Sequence, residues 1–130
     1  MKSAIIITRD RLNLDHIAES FRRYGVVYGT TERLVVEMPN GWFALSLNDS
    51  ILRDYDESEL HFLSQVFAEF FLAQLEFSTI EAANLALTRI DVPHDSLVDN
   101  DHGNISNIEH FRHLIQKSIN WYCHMEDSNS

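Results

Sequence analysis

The groups best able to do chemistry are crowded between residues 94 and 104: His94-Asp95, then Asp99-Asn100-Asp101-His102-Gly103-Asn104. Carboxylate oxygens and imidazole nitrogens are cation ligands, so metal binding is the first chemistry to test. A calcium loop of the EF-hand kind needs glycine at its sixth position and a bidentate glutamate at its twelfth. Counted from Asp99, those positions are Asn104 and His110, and the spacing fails. Asp99, Asp101 and His102 remain a conceivable transition-metal set, and a small metal-dependent hydrolase built on this turn is the alternative functional reading. The Cys and His spacings diagnostic for zinc are absent. The plainer account is a turn in which Asp and Asn side chains bond local amides and Gly103 takes a positive φ. The expectation is no bound metal and no cofactor.

Other reactive types fare no better. The His94-Asp95 pair resembles that of metal phosphohydrolases, but their remaining ligands come from a helical bundle, which this strand-rich pattern does not supply. His110 and His113 fall on a helix that buries other positions, and His16 and His61 follow acidic first turns, so these read as surface residues. Cys123 has no local activating motif, and a single cysteine excludes an internal disulfide. No phosphate loop, nucleotide-binding glycine pattern, Gly-x-Ser-x-Gly elbow or His-Glu-x-x-His occurs. The expectation is a protein that is not an enzyme.

Charge is the stronger signal. The 130 residues carry a formal charge of −10, which opposes nucleic acid or an anionic membrane as the direct ligand and favours a cationic partner. Residues 1–53 hold seven basic and six acidic side chains, net +1; residues 54–130 hold three basic and fourteen acidic, net −11. Seven of those acids lie in two tracts, 54–59 and 95–101, both rich in turn-forming residues. Asp54, Asp56, Glu57, Asp99 and Asp101 are therefore the first candidates for partner contact, provided that folding brings both tracts to one side. Trp42, Trp121 and Tyr122 belong to the core or its rim, or else serve as aromatic anchors beside the acids.

The elements that must position these groups are legible in part. Ala4-Ile5-Ile6-Ile7 reads as a strand buried on both faces. Leu14, Ile17, Phe21 and Tyr24 recur at helical spacing, with Asn13 as N-cap and Gly25 closing the helix. Asn40-Gly41 is the residue pair of a two-residue hairpin turn. Counting from it sets Met38 opposite Phe43, Val36 opposite Leu45 and Leu34 opposite Leu47, all on one apolar face. Three capping boxes are expected, at Asp56 with Glu59, Ser78 with Glu81 and Ser106 with Glu109. The helices they open carry stripes Leu60, Leu63, Phe67, then Ile80, Ala83, Leu87, Ile90, and finally Ile108, Phe111, Ile115, Ile119, Tyr122. Between the first two, Phe71, Ala73, Leu75 and Phe77 alternate as a strand, and Leu97-Val98 forms another. The fold class is α+β: one domain over residues 1–125, a mixed, mainly antiparallel sheet with a central hairpin, about four covering helices, and a frayed tail at 126–130.

At Leu97-Val98-Asp99-Asn100-Asp101-His102-Gly103, followed by the helix from Ser106 and by Trp121, the chain resembles small immunity proteins of bacterial polymorphic-toxin and contact-dependent growth inhibition systems. The likeness covers about the last third. It implies a non-enzymatic protein that binds a cognate toxin domain and blocks its active site or substrate surface, and it carries over no catalytic residue. A protein of charge −10 suits a basic nuclease toxin as partner. A subunit of a larger assembly is a further alternative. The opening apolar run is too short for the core of a signal peptide, and no stretch approaches the roughly 18 apolar residues of a membrane span, so a cytoplasmic protein is expected.

Overall fold

The computed structural model of the chain describes residues 2–47, 55–101 and 104–122. In chain order the described elements are β1 (Lys2–Thr8), α1 (Leu14–Phe21), β2 (Val26–Gly29), β3 (Arg33–Met38), β4 (Gly41–Leu47), α2 (Glu57–Val66), β5 (Phe71–Phe77), α3 (Ile80–Arg89), β6 (Leu97–Asp99), β7 (Ile105–Asn107) and α4 (Ile108–Gln116). The strands form one α+β sheet in the order β2-β3-β4-β5-β1-β6-β7. It is antiparallel in every pairing rather than mixed. No helix among the described residues is long and apolar enough to cross a membrane.

β1 lies inside the sheet, between β5 and β6, because both of its faces are apolar. Ala4 and Ile6 join the main core with Leu14, Ile17 and Phe21 of α1, Ala83 and Leu87 of α3, and Ile108 and Phe111 of α4. Ile7 turns the other way, into a smaller core with Leu63, Phe67, Leu72, Leu97 and Tyr55 beneath α2. Three helices thus cover one face, and α2 covers part of the other.

The hairpin face is as the alternation requires, with Leu34, Val36, Phe43 and Leu45 buried and Met38 and Leu47 packed against them. Its register differs from the expectation by two residues: Met38 pairs with Gly41, Val36 with Phe43 and Leu34 with Leu45. The turn is Pro39-Asn40, not Asn40-Gly41. Proline suits the first central position of a common turn and glycine the fourth, and this preference outweighs the Asn-Gly signal. Gly41 has φ +136, and a Cβ there would lie 2.3 Å from Thr79 Oγ1, so it is glycine for close approach to the start of α3.

Several boundaries also move. α1 ends at Phe21 with Arg22 as C-cap. Gly25 is instead pressed against β3, where a Cβ would meet the Glu37 carbonyl oxygen at 2.2 Å. Asp56 and Glu59 form the expected capping box. The next N-cap is Thr79 rather than Ser78, whose hydroxyl accepts from the Trp42 amide at 2.8 Å. The last is Asn107 rather than Ser106, which sits in β7. α4 stops at Gln116 and does not run on to Tyr122, because the Ser118 and Ile119 amides fold back onto the Ile115 and Leu114 carbonyls with Ser118 at φ +61. Ile119 is consequently exposed, while Trp121 swings into the core and is fully buried.

Two substitutions should act in opposite directions. Leu45→Ala should destabilise by about 2–5 kcal/mol, since it empties a fully enclosed site. Ser118→Gly should stabilise by about 0.5–1 kcal/mol by relieving the left-handed backbone. Urea titration checks both as shifts of the midpoint at unchanged slope.

Candidate functional site

The two acidic tracts meet. β6 lies between β1 and β7, which sets Asp99 opposite both Ile5 and Ile105. The turn that follows is tied internally: the Asn100 amide donates to the Asn104 carbonyl at 3.1 Å, and the Asn104 amide donates to Asn100 Oδ1 at 3.2 Å. Asn100 Nδ2 donates to the Trp121 carbonyl at 2.9 Å, anchoring the turn to the core. Asp101 adopts φ +63, a conformation Asp tolerates better than most residues, and its amide donates to Asp99 Oδ1 at 2.8 Å.

The other oxygen of Asp99 accepts the Tyr55 hydroxyl at 2.9 Å, across 44 positions of sequence. Tyr55 immediately precedes Asp56, the N-cap of α2, where Asp56 Oδ1 accepts from the Glu59 amide at 2.8 Å and Glu59 Oε1 accepts from the Asp56 amide at 3.1 Å. One buried hydrogen bond therefore sets the acidic first turn of α2 beside the acidic turn after β6. Between them opens a cleft of about 200 Å³ lined by Ser3, Ile5, Tyr55, Glu59, Gln74, Asp99 and Asp101. Burial pushes the Tyr55 phenol well above its ordinary value, and the charge and hydrogen bond of Asp99, then the charges of Glu59 and Asp101, push it further. Tyr55 is thus held in its neutral, donating form.

The expected contact residues divide into three. Asp56, Glu57 and Asp101 are exposed around the cleft. Asp99 is only 9% exposed, with one carboxylate oxygen on Tyr55 and the other on the Asp101 amide, so it braces the site from within instead of facing solvent. Asp54 lies outside the described residues, as do His102, Gly103, Cys123 and the tail at 126–130. Glu59 and Tyr55 complete the site. Glu59 stood in the first acidic tract; Tyr55 gave no sign of its role, since a lone tyrosine between aspartates reads as surface.

Among the described residues the acids of the cleft and of the α2 first turn have no ion-pair partner. Five acids elsewhere have basic side chains beside them: Asp95 with Arg9, Asp91 with His16, Glu19 with Arg22, Glu76 with Arg33, and Glu109 with Arg112 and His94. Among the described residues, no such pair involves Asp56, Glu57, Glu59, Asp99 or Asp101. Nor, among those residues, does any group of three His, Cys, Asp or Glu side chains stand close enough to hold a metal ion. No protein-family model, curated protein or solved structure matches the chain.

Tyr55→Phe should cost about 1–3 kcal/mol near pH 8, because a buried oxygen of Asp99 loses its donor. The folded-state phenol is raised above its unfolded value near 10, so its share of stability is complete below about pH 10 and is lost as pH rises beyond it. Denaturant titrations at pH 8 and pH 11 should therefore show the gap between wild type and Tyr55→Phe narrowing at the higher pH.

Proposed function

We propose that this protein is a non-enzymatic binding protein, an immunity protein that neutralises a toxin domain of basic surface through the acidic face at the start of α2 and the turn after β6. The Tyr55–Asp99 hydrogen bond carries this reading, because it sets the first turn of α2 beside the turn after β6 in one acidic patch, in which Asp56, Glu57, Glu59, Asp99 and Asp101 have no ion-pair partner among the described residues. Such a patch attracts a cationic protein over a Debye length and accelerates encounter. It repels phosphate backbones and anionic lipid, which opposes nucleic acid or a membrane surface as partner. The resemblance of the last third of the chain to toxin-immunity proteins, which includes this same turn, points the same way.

The test uses the basic protein that the chain captures from the cells that encode it, and a triple variant chosen to preserve the fold. Asp56→Asn keeps the N-cap, Asp101→Asn keeps a residue tolerant of positive φ, and Glu57→Lys reverses an exposed charge. Stopped-flow mixing at low salt should show association slowed by about tenfold or more, a flatter salt dependence and little change in dissociation. An association rate and salt slope equal to wild type would sink the proposal.

A further inference from the structure

We infer that the apolar centre of the partner contact is the outer flank of α2, formed by Phe62 and Val66, and that the protein docked there carries an apolar patch ringed by Lys and Arg. This rests on the reading of the acidic face as a binding surface and assigns that surface its anchor. Along α2, Leu63 and Phe67 are buried in the smaller core and Leu60 packs against it. Glu59, Phe62 and Val66 recur at intervals of three and four, so they share a neighbouring flank. Phe62 is 43% and Val66 45% exposed, an i, i+4 pair of large apolar side chains left in water.

The flank is continuous with the charged site. At its start Glu59 lines the acidic cleft, and at its end Val66 borders a second hollow with Phe67, Glu69 and the Arg9–Asp95 ion pair. An apolar centre with a charged rim is the anatomy of a protein interface, in which aromatic anchors supply residence time and rim charges supply encounter. The rim also selects the occupant. Two copies docking through this flank would set one acidic rim, Asp56, Glu57 and Glu59 at the start of α2 and Glu69 past its end, against another, and like charge opposes that dimer. A basic partner reverses the sign. The other exposed apolar pair, Val26 and Tyr28 of β2, lies on the edge strand beside both Arg33 and Glu37, whose carboxylate accepts the Tyr28 hydroxyl, so its surroundings are of mixed sign.

The photo-crosslinking amino acid benzoylphenylalanine, placed in the full chain at position 62, at position 57 or at the distant control position 119, can be activated in the cells that encode the protein. Positions 62 and 57 are expected to crosslink the same protein, basic by its sequence, well above position 119. With that protein purified, Phe62→Ala with Val66→Ala should speed dissociation by about tenfold or more and alter association little. Both side chains are partly exposed, so the urea midpoint of the double variant should stay close to wild type and verifies its fold. A basic protein captured from position 57 but not 62, or an unchanged dissociation rate, overturns the inference while leaving the acidic face as a binding surface. A crosslink from position 62 to a second copy of the chain also overturns it. Capture of no basic protein from either position overturns both readings.

Discussion

Trp121 ties the helical layer to the acidic surface. Its ring is fully buried against Phe77 and Phe111, with centroids 5.9 Å away in each case. Its ring N–H donates to Asn84 of α3 at 2.7 Å, so the indole's single donor is satisfied inside the core. Its backbone carbonyl accepts from Asn100. From there the connections run outward: Asn100 closes the turn on Asn104, the turn presents Asp101, Asp99 takes the Tyr55 hydroxyl, and Tyr55 fixes the start of α2. A surface patch of short, charged side chains is thus held by an aromatic residue on the other side of the sheet.

The topology explains why the charge is polarised in space as well as in sequence. β2, β3 and β4 fill one end of the sheet and come from the nearly neutral first part of the chain, while β6 and β7, from the acidic remainder, fill the other. β1 crosses that division, because only a strand apolar on both faces can lie over the main core and under α2 at once. Its seat between β5 and β6 brings Ile5 level with Asp99 and makes it part of the acidic cleft's floor. Arg112 closes the helical layer by donating to the Leu87 and Ile90 carbonyls at the end of α3, which that helix cannot satisfy itself. Arg9, Arg22, Arg33 and Arg112 each pair with an acid outside the cleft.

Much of the fold could be read locally, and the failures have local causes too. The hairpin face survived a register error of two residues because side chains alternate with period two. β2 and β7 were missed, as strands of four and three residues carry too little alternation to register. The end of α4 was overrun because Ile119 and Tyr122 continue the apolar spacing, whereas the backbone turns at a serine that gives no warning of positive φ. At the site, the two tracts were legible as charge, and their meeting was not. It depends on Tyr55 and Asp99, separated by 44 residues, and no local rule distinguishes a tyrosine destined to donate to a buried carboxylate from one in a solvated turn.

The energetic character of the cleft follows from that arrangement. Asp99 is largely taken out of water, a phenol and a backbone amide donate to it among the described residues, and its neighbours Asp101 and Glu59 are acids. Bringing like charges together costs free energy that an ion pair would offset, as the Arg33–Glu76 pair does where β3 and β5 flank β4. No such pair offsets it in the cleft among the described residues. The cost is tolerable for Asp56, Glu57 and Asp101, which remain hydrated, and the carboxylates of Asp56 and Glu59 recover part of it at the positive end of the α2 dipole. A cationic surface docking against the cleft would remove the remaining repulsion without having to break an internal salt bridge first. On the proposed function, selectivity for a basic partner would therefore rest on the repulsion among charges that the fold itself holds together.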